Sequence, residues 1–298
     1  MDFNITNNAI TCKDADYRTS THKKTRQERI NHTHRNIDDT SNTPDNPAFK
    51  PSKRTRAMCL NELVTRAEIA AKRTNTPNAV IKADVRAKLF KTDTLHLVQQ
   101  IKQKVDNITN LYNQGNSIVE GIYERTISYD PERDCEIMQE IDSEGVLLRE
   151  STFKDGVLTE SVQYNDDGTT TELSLSDGEL ESYKENLAKS DIGEEMGKYC
   201  TFNSGKISMY FKDYKELDDG YSFSSKLAWF DKNGQMTAYY EAMEALPDGS
   251  STIDLHLRYD EDERIKEYVT DIKNGLHYSA KYILEDGKWI EVPPPEDK

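Results

Sequence analysis

Past Gly115, a turn signal returns along this chain at short intervals. It falls at Gly145, Gly156, Gly168, Gly178, Gly205, Gly220, Gly234, Gly249, Gly275 and Gly287, usually just after Asp or Asn. In "FKDGVLTESVQYNDDG", residues 153–168, two such turns bracket one alternating stretch. Asp-Gly and Asn-Gly supply the positive φ angles that tight hairpins require. Most intervals between these glycines are 10 to 15 residues, room for one strand and its reversal. Punctuation of this kind confines the chain to a serial antiparallel sheet, with sequence neighbours adjacent in space.

The stretches between turns alternate with a period of two, as half-buried strands do. In "STIDLHLRYD", Ile253, Leu255, Leu257 and Tyr259 share one face, and Asp254, His256 and Arg258 the other. "YSFSSKLAWF" and "LHYSAKYIL" repeat the pattern. The wide interval between Gly178 and Gly205 holds "GELESYKENLAKSDIG", where Leu180, Tyr183 and Leu187 fall at helical spacing and predict a short helix. "DEDE" at 260–263 reads as a turn without glycine. The expected fold class is α+β. An N-terminal disordered tail and a short helical segment precede an antiparallel β-meander of about a dozen strands over 116–292, with a C-terminal tail at 293–298.

Residues 1–56 are polar and basic and lack aliphatic periodicity, so the sequence predicts disorder there. Residues 57–115 read as helical. One helix is expected from Ala57 to about Arg73. A second, capped by Thr76 with Pro77 at its first position, runs to about Lys91. The third starts at Thr92 or Asp93 and ends at Gly115. In it Val98, Ile101, Val105, Ile108 and Tyr112 form a short heptad seam. That seam either packs on its own domain or joins two copies of the chain through residues 94–113.

Four segments, "FKDGVLTES", "YNDDGTTTEL", "FNSGKISMY" and "FDKNGQMTAYY", place an aromatic two or three residues before a glycine turn and an apolar residue shortly after it. Over about residues 117–290 the chain resembles the β-repeat of YwqK-type (MORN-like) bacterial proteins and, more distantly, YD-repeat segments. It departs from true MORN units in lacking their second glycine and in letting repeat length drift. The resemblance implies a scaffold or interaction module.

Charge divides as sharply as pattern. The 298-residue chain has net charge −15, yet residues 1–115 carry +8 and residues 116–298 carry −23. An acidic domain of that kind repels nucleic acid and anionic membranes. Cys12, Cys59, Cys135 and Cys200 are widely spaced and read as reduced thiols. No run approaches the ~18 apolar residues of a membrane span. A cytoplasmic location is expected, with export through an unstructured N-terminus as the alternative.

Few residues suggest chemistry. Asp254, His256 and Arg258 share a strand face and form a weak candidate for acid–base work, with Glu241 or Glu267 as converging carboxylates. The acidic turns lack the ligand spacing of a calcium loop, and His32 and His34 lack a third metal ligand. "KKTRQER" (23–29) and "KPSKRTR" (50–56) are the basic clusters. Fourteen of the 16 tyrosines follow Gly115, where they suit thin cores and interfaces. The leading expectation is a non-enzymatic protein-interaction or scaffold protein without a cofactor. The alternatives are a hydrolase or sugar-acting enzyme working near Asp254 and His256, and nucleic-acid binding through the basic tail.

Overall fold

The computed structural model describes residues 75–120 and 123–295, together with Thr65. The predicted disordered tail and, apart from Thr65, the first predicted helix lie outside these residues. The next two predicted helices are one. Helix α1 runs unbroken from Asn78 to Asn113. The sequence predicts a break where Thr92 or Asp93 offers a capping side chain. Instead the Thr92 hydroxyl donates to Lys88 O at 2.9 Å and the Thr94 hydroxyl to Phe90 O at 2.7 Å. Each hydroxyl is satisfied within the helix, one turn back, so neither competes for a cap. At the C-terminal end, buried Arg125 donates to Gly115 O at 2.9 Å. It sets a cation where the helix dipole is negative.

The buried side of α1 is a long heptad seam. Val80, Ala83, Ala87, Phe90, Thr94, Leu97, Ile101 and Ile108 are buried, at alternating steps of three and four until the last. Such a seam ordinarily meets another helix. Here it meets a sheet of fifteen antiparallel strands, joined strictly in sequence order.

The first six strands are β1 (Ser117–Val119), β2 (Tyr123–Asp130), β3 (Cys135–Asp142), β4 (Leu147–Lys154), β5 (Val157–Tyr164) and β6 (Thr170–Ser176). The longer β7 (Glu179–Ser190), β8 (Gly193–Asn203), β9 (Lys206–Leu217), β10 (Ser222–Phe230) and β11 (Met236–Ala245) form the middle. β12 (Ser251–Tyr259), β13 (Ile265–Lys273), β14 (Ala280–Glu285) and β15 (Lys288–Val292) complete it. The short helix expected after Gly178 is in fact β7 and the start of β8.

That misreading has a physical cause, shared by five hairpins besides β3–β4, where Leu148 is the extra residue. Each carries a β-bulge at the same place. Phe153 pairs Leu158 while Thr152 pairs Glu160, which leaves Thr159 as the extra residue. The same offset makes Glu181, Ser208, Thr237 and Lys266 the extra residues of the next four. A bulge breaks strict alternation. The inward residues of β7 therefore come three apart, Leu180 then Tyr183, as they would on a helix.

The bulges define the repeat. Before each turn stands a buried apolar residue: Phe153, Leu175, Phe202, Phe230 and Tyr259. After it comes Leu158, Leu180, Ile207, Met236 or Ile265, and three residues later Ser161, Tyr183, Tyr210, Tyr239 or Tyr268. All but Ser161 belong to one cluster with the seam of α1.

Helix and sheet run in opposite senses. The N-terminal half of α1 meets late strands: Arg86 grips Glu241 of β11 at 2.9 and 3.1 Å, and Lys91 pairs with Glu263 beyond β12. Phe90 stacks on Tyr210 at 4.8 Å and leans on Tyr239 at 5.5 Å. Farther along, Lys104 donates to the Tyr183 hydroxyl at 3.0 Å. At the end Tyr112 stacks on Phe153 at 3.8 Å and donates to Glu136 of β3.

A second device bends the sheet. Asn186, Asp213, Ala242 and Asp271 have left-handed backbone (φ 54°, 49°, 48° and 51°) inside β7, β9, β11 and β13. They stand in line. Glu185, Lys198, Lys212, Lys226, Glu241, Leu255 and Thr270 form one row of direct cross-strand partners, and each left-handed residue is one step beyond it. A left-handed residue turns the strand and redirects the side chains that follow. Tyr214, just past Asp213, accordingly reaches Phe211 at 4.8 Å and Tyr199 at 5.7 Å on the face away from α1. Leu187, Met196, Leu227, Val269 and Ile272 are buried outside the helix-facing cluster, so this outer face has apolar cover of its own.

Three substitutions test this arrangement. Ile101→Ala empties a fully buried seam position and is expected to cost about 2–5 kcal/mol in urea unfolding. Leu95→Ala, on the exposed side, should stay within about 0.5 kcal/mol. Ala242→Gly relieves a left-handed alanine and should stabilise by about 0.5–1 kcal/mol.

Candidate functional site

The row beside the bend carries an uncommon charge pattern. Lys198 pairs directly with Lys212, and Lys212 with Lys226, on β8, β9 and β10. Like charges directly opposite one another destabilise a sheet. Glutamates close both ends of the run, Glu185 beside Lys198 and Glu241 beside Lys226.

The end groups are engaged. Glu185 accepts from Lys198 at 2.7 Å and from the Tyr183 hydroxyl at 2.7 Å. Burial pulls the Glu185 carboxyl upward, but these hydrogen bonds outweigh it and hold it below the usual carboxylate range. Glu241 behaves alike, with burial opposed by Arg86 and the Tyr239 hydroxyl. Lys226 lies 5.8 Å over the Phe90 ring, a cation–π distance. Among the described residues, neither Lys212 nor Lys226 forms an ion pair.

These lysines form one wall of a groove of about 610 Å³, and α1 forms the other. Arg86, Phe90, Asp93, His96 and Gln100 face in from the helix, and Tyr210 lies between the walls. The groove thus gathers Arg86, Lys198, Lys212, Lys226 and His96 against Asp93 as its one lining carboxylate. Lys104 lies near by, and burial lowers its ammonium pKa, with Lys198 and Arg149 adding to the effect against Glu185. Sequence reading missed this site. The three lysines are evenly spaced along the chain, but their adjacency depends on a register that no local pattern reveals.

The residues singled out from sequence lie elsewhere. Asp254 is exposed on β12. His256 lies flat on the Tyr240 ring at 4.5 Å, on the face away from α1, and its Nε2 is enclosed without a hydrogen-bond partner among the described residues. Arg258 approaches Glu267 at 3.5 Å, and Lys281 pairs with Glu267 at 2.8 Å. The structure brings His256, Arg258 and Glu267 onto one face and puts Glu241 on the other, bound to Arg86.

Of the helix seam, Ile101 and Ile108 are buried in the core, and Val98, Val105 and Tyr112 pack against it. Cys135 and Cys200 are buried free thiols, and burial raises both. Asp167 and Asp260 each accept backbone N–H groups of their own turns, which explains two acidic turns without a metal. Among the described residues, no group of three or more His, Cys, Asp or Glu converges as metal ligands. No helix among them is long and apolar enough to cross a membrane. Cys12, Cys59, His32, His34 and both basic clusters lie outside the described residues.

His256 provides a pH test. Burial lowers its pKa from 6.5 to about 4, with Arg258 and Lys281 adding to the effect and Glu267 opposing it. The unfolded chain therefore binds this proton more readily than the folded one. Stability is expected to fall as pH drops from 6.5 toward 4, at up to about 1.4 kcal/mol per pH unit. His256→Phe should flatten that slope relative to the unchanged protein in urea titrations across this range. A search against protein family models returns no match for this chain, and neither does a search of curated proteins.

Proposed function

We propose that this chain is a non-enzymatic interaction scaffold that binds a protein partner across its hairpin-repeat sheet. The observation that supports this most is how the repeat uses its side chains. Each of the five hairpins that carry the repeat points the same three positions inward, and all of these residues but Ser161 join one cluster with the seam of α1. The repeat thereby builds a long, uniform support and leaves its outward positions free to vary. Repeat folds built this way present extended binding surfaces. A cytoplasmic setting suits the proposed role.

A second copy of the chain is not the partner that residues 94–113 favour. Ile101 and Ile108 would have to leave the sheet, which exposes core surface before any new contact forms.

Site-specific photo-crosslinking in cells, from exposed positions on the sheet, tests the proposal. The expected result is one protein partner that binds the purified full chain saturably at fixed stoichiometry. If instead the purified chain hydrolyses a glycoside or ester, and His256→Ala abolishes that activity, the scaffold reading fails in favour of an enzyme. Sedimentation of the full chain should give a monomer. A dimer abolished by Val98→Glu would place the seam between copies.

A further inference from the structure

We propose that the groove between α1 and strands β8–β10 binds a small polyphosphate anion, a site separate from any protein-binding surface. Three observations combine. First, three lysines stand side by side on adjacent strands, an arrangement that costs stability unless something negative joins it. Adjacent strands lie ~4.8 Å apart, so the three stems span ~10 Å in a straight line. That is the reach of a short chain of phosphates, and lysine is a common phosphate ligand.

Second, the groove volume of about 610 Å³ lies in the range of small-ligand sites. Arg86 and His96 of α1 face the lysines across it, so the ligand would be held from both walls. Asp93 is the opposing charge. Arg86 and Lys198 already hold glutamates, which leaves Lys212 and Lys226 as the principal contacts.

Third, the field around the groove selects for size. Residues 116–298 carry −23 net, so a long polyanion such as nucleic acid is repelled wherever it leaves the groove. A compact anion stays inside the local positive field. The chain's own first 74 residues hold 14 Lys and Arg against 9 Asp and Glu, so in net charge they do not complement the groove.

Calorimetry on the full-length chain with inorganic tripolyphosphate at low salt tests the proposal. The expected result is saturable one-to-one binding that weakens as salt rises. Lys212→Gln with Lys226→Gln should weaken it at least tenfold. The melting temperature of that variant should not fall, because a like-charge row is relieved. Lys232→Gln, on an exposed turn, should leave affinity unchanged. A parallel arm with a nucleoside triphosphate identifies the source. Tighter binding than tripolyphosphate assigns the groove to nucleotides, and equal binding assigns it to the phosphate chain alone. The proposal is overturned if tripolyphosphate does not bind at low salt, or if its affinity ignores the lysine substitutions. It is also overturned if a single-stranded oligonucleotide binds more tightly through the same lysines. None of these results depends on whether a protein partner exists.

Discussion

Two lengths agree in this molecule, and the fold depends on their agreement. Seven residues of α-helix rise ~10.5 Å, and two strands of a sheet occupy ~9.6 Å. A heptad of α1 therefore advances by about one hairpin. The 36 residues of α1 span ~54 Å, enough to cross from β13 to β3. A sheet this wide, covered by one long helix among the described residues, would otherwise leave much of its apolar face wet. Instead a single seam serves hairpin after hairpin, from Phe90 on Tyr210 to Tyr112 on Phe153.

The bulges and the left-handed residues are the local adjustments that make this match usable. Each bulge inserts one residue next to the turn, so that three inward side chains cluster toward the helix. Tyrosine suits the third of these positions because its ring reaches the seam while its hydroxyl finds a polar partner. Tyr183 meets Glu185 and Lys104, and Tyr239 meets Glu241. The left-handed line lies one step farther out and ends the helix-facing surface. It also sets the glutamates and lysines at the lip of the groove, so the same bend that closes the core exposes the basic row.

Much of this was legible in the sequence. Glycine turns at short intervals gave the serial antiparallel sheet, because the positive φ they require is a local property. The aromatic-turn-aliphatic repeat was visible, though its third member was not separated from ordinary alternation. What stayed hidden was whatever required a partner strand or a partner turn. Leu180, Tyr183 and Leu187 mimic helical spacing only because Glu181 is a bulge and Asn186 is left-handed. Thr92 looks like a cap until its hydroxyl is seen bonded one turn back. Lys198, Lys212 and Lys226 are ordinary surface lysines until three registers are known together.

The opposed senses of helix and sheet set an order of assembly. Tyr112 meets partners only a few dozen residues downstream, whereas the links from Arg86 and Lys91 close loops of 155 and 172 residues. Short closures cost less chain entropy than long ones. In chain order the partners of the C-terminal turns of α1 come first, and later strands carry the partners of turns farther back toward the N-terminus. The helix and its cover are laid out against the direction of translation, so Arg86 and Lys91 have no partner until β11 and the turn before β13 have been made.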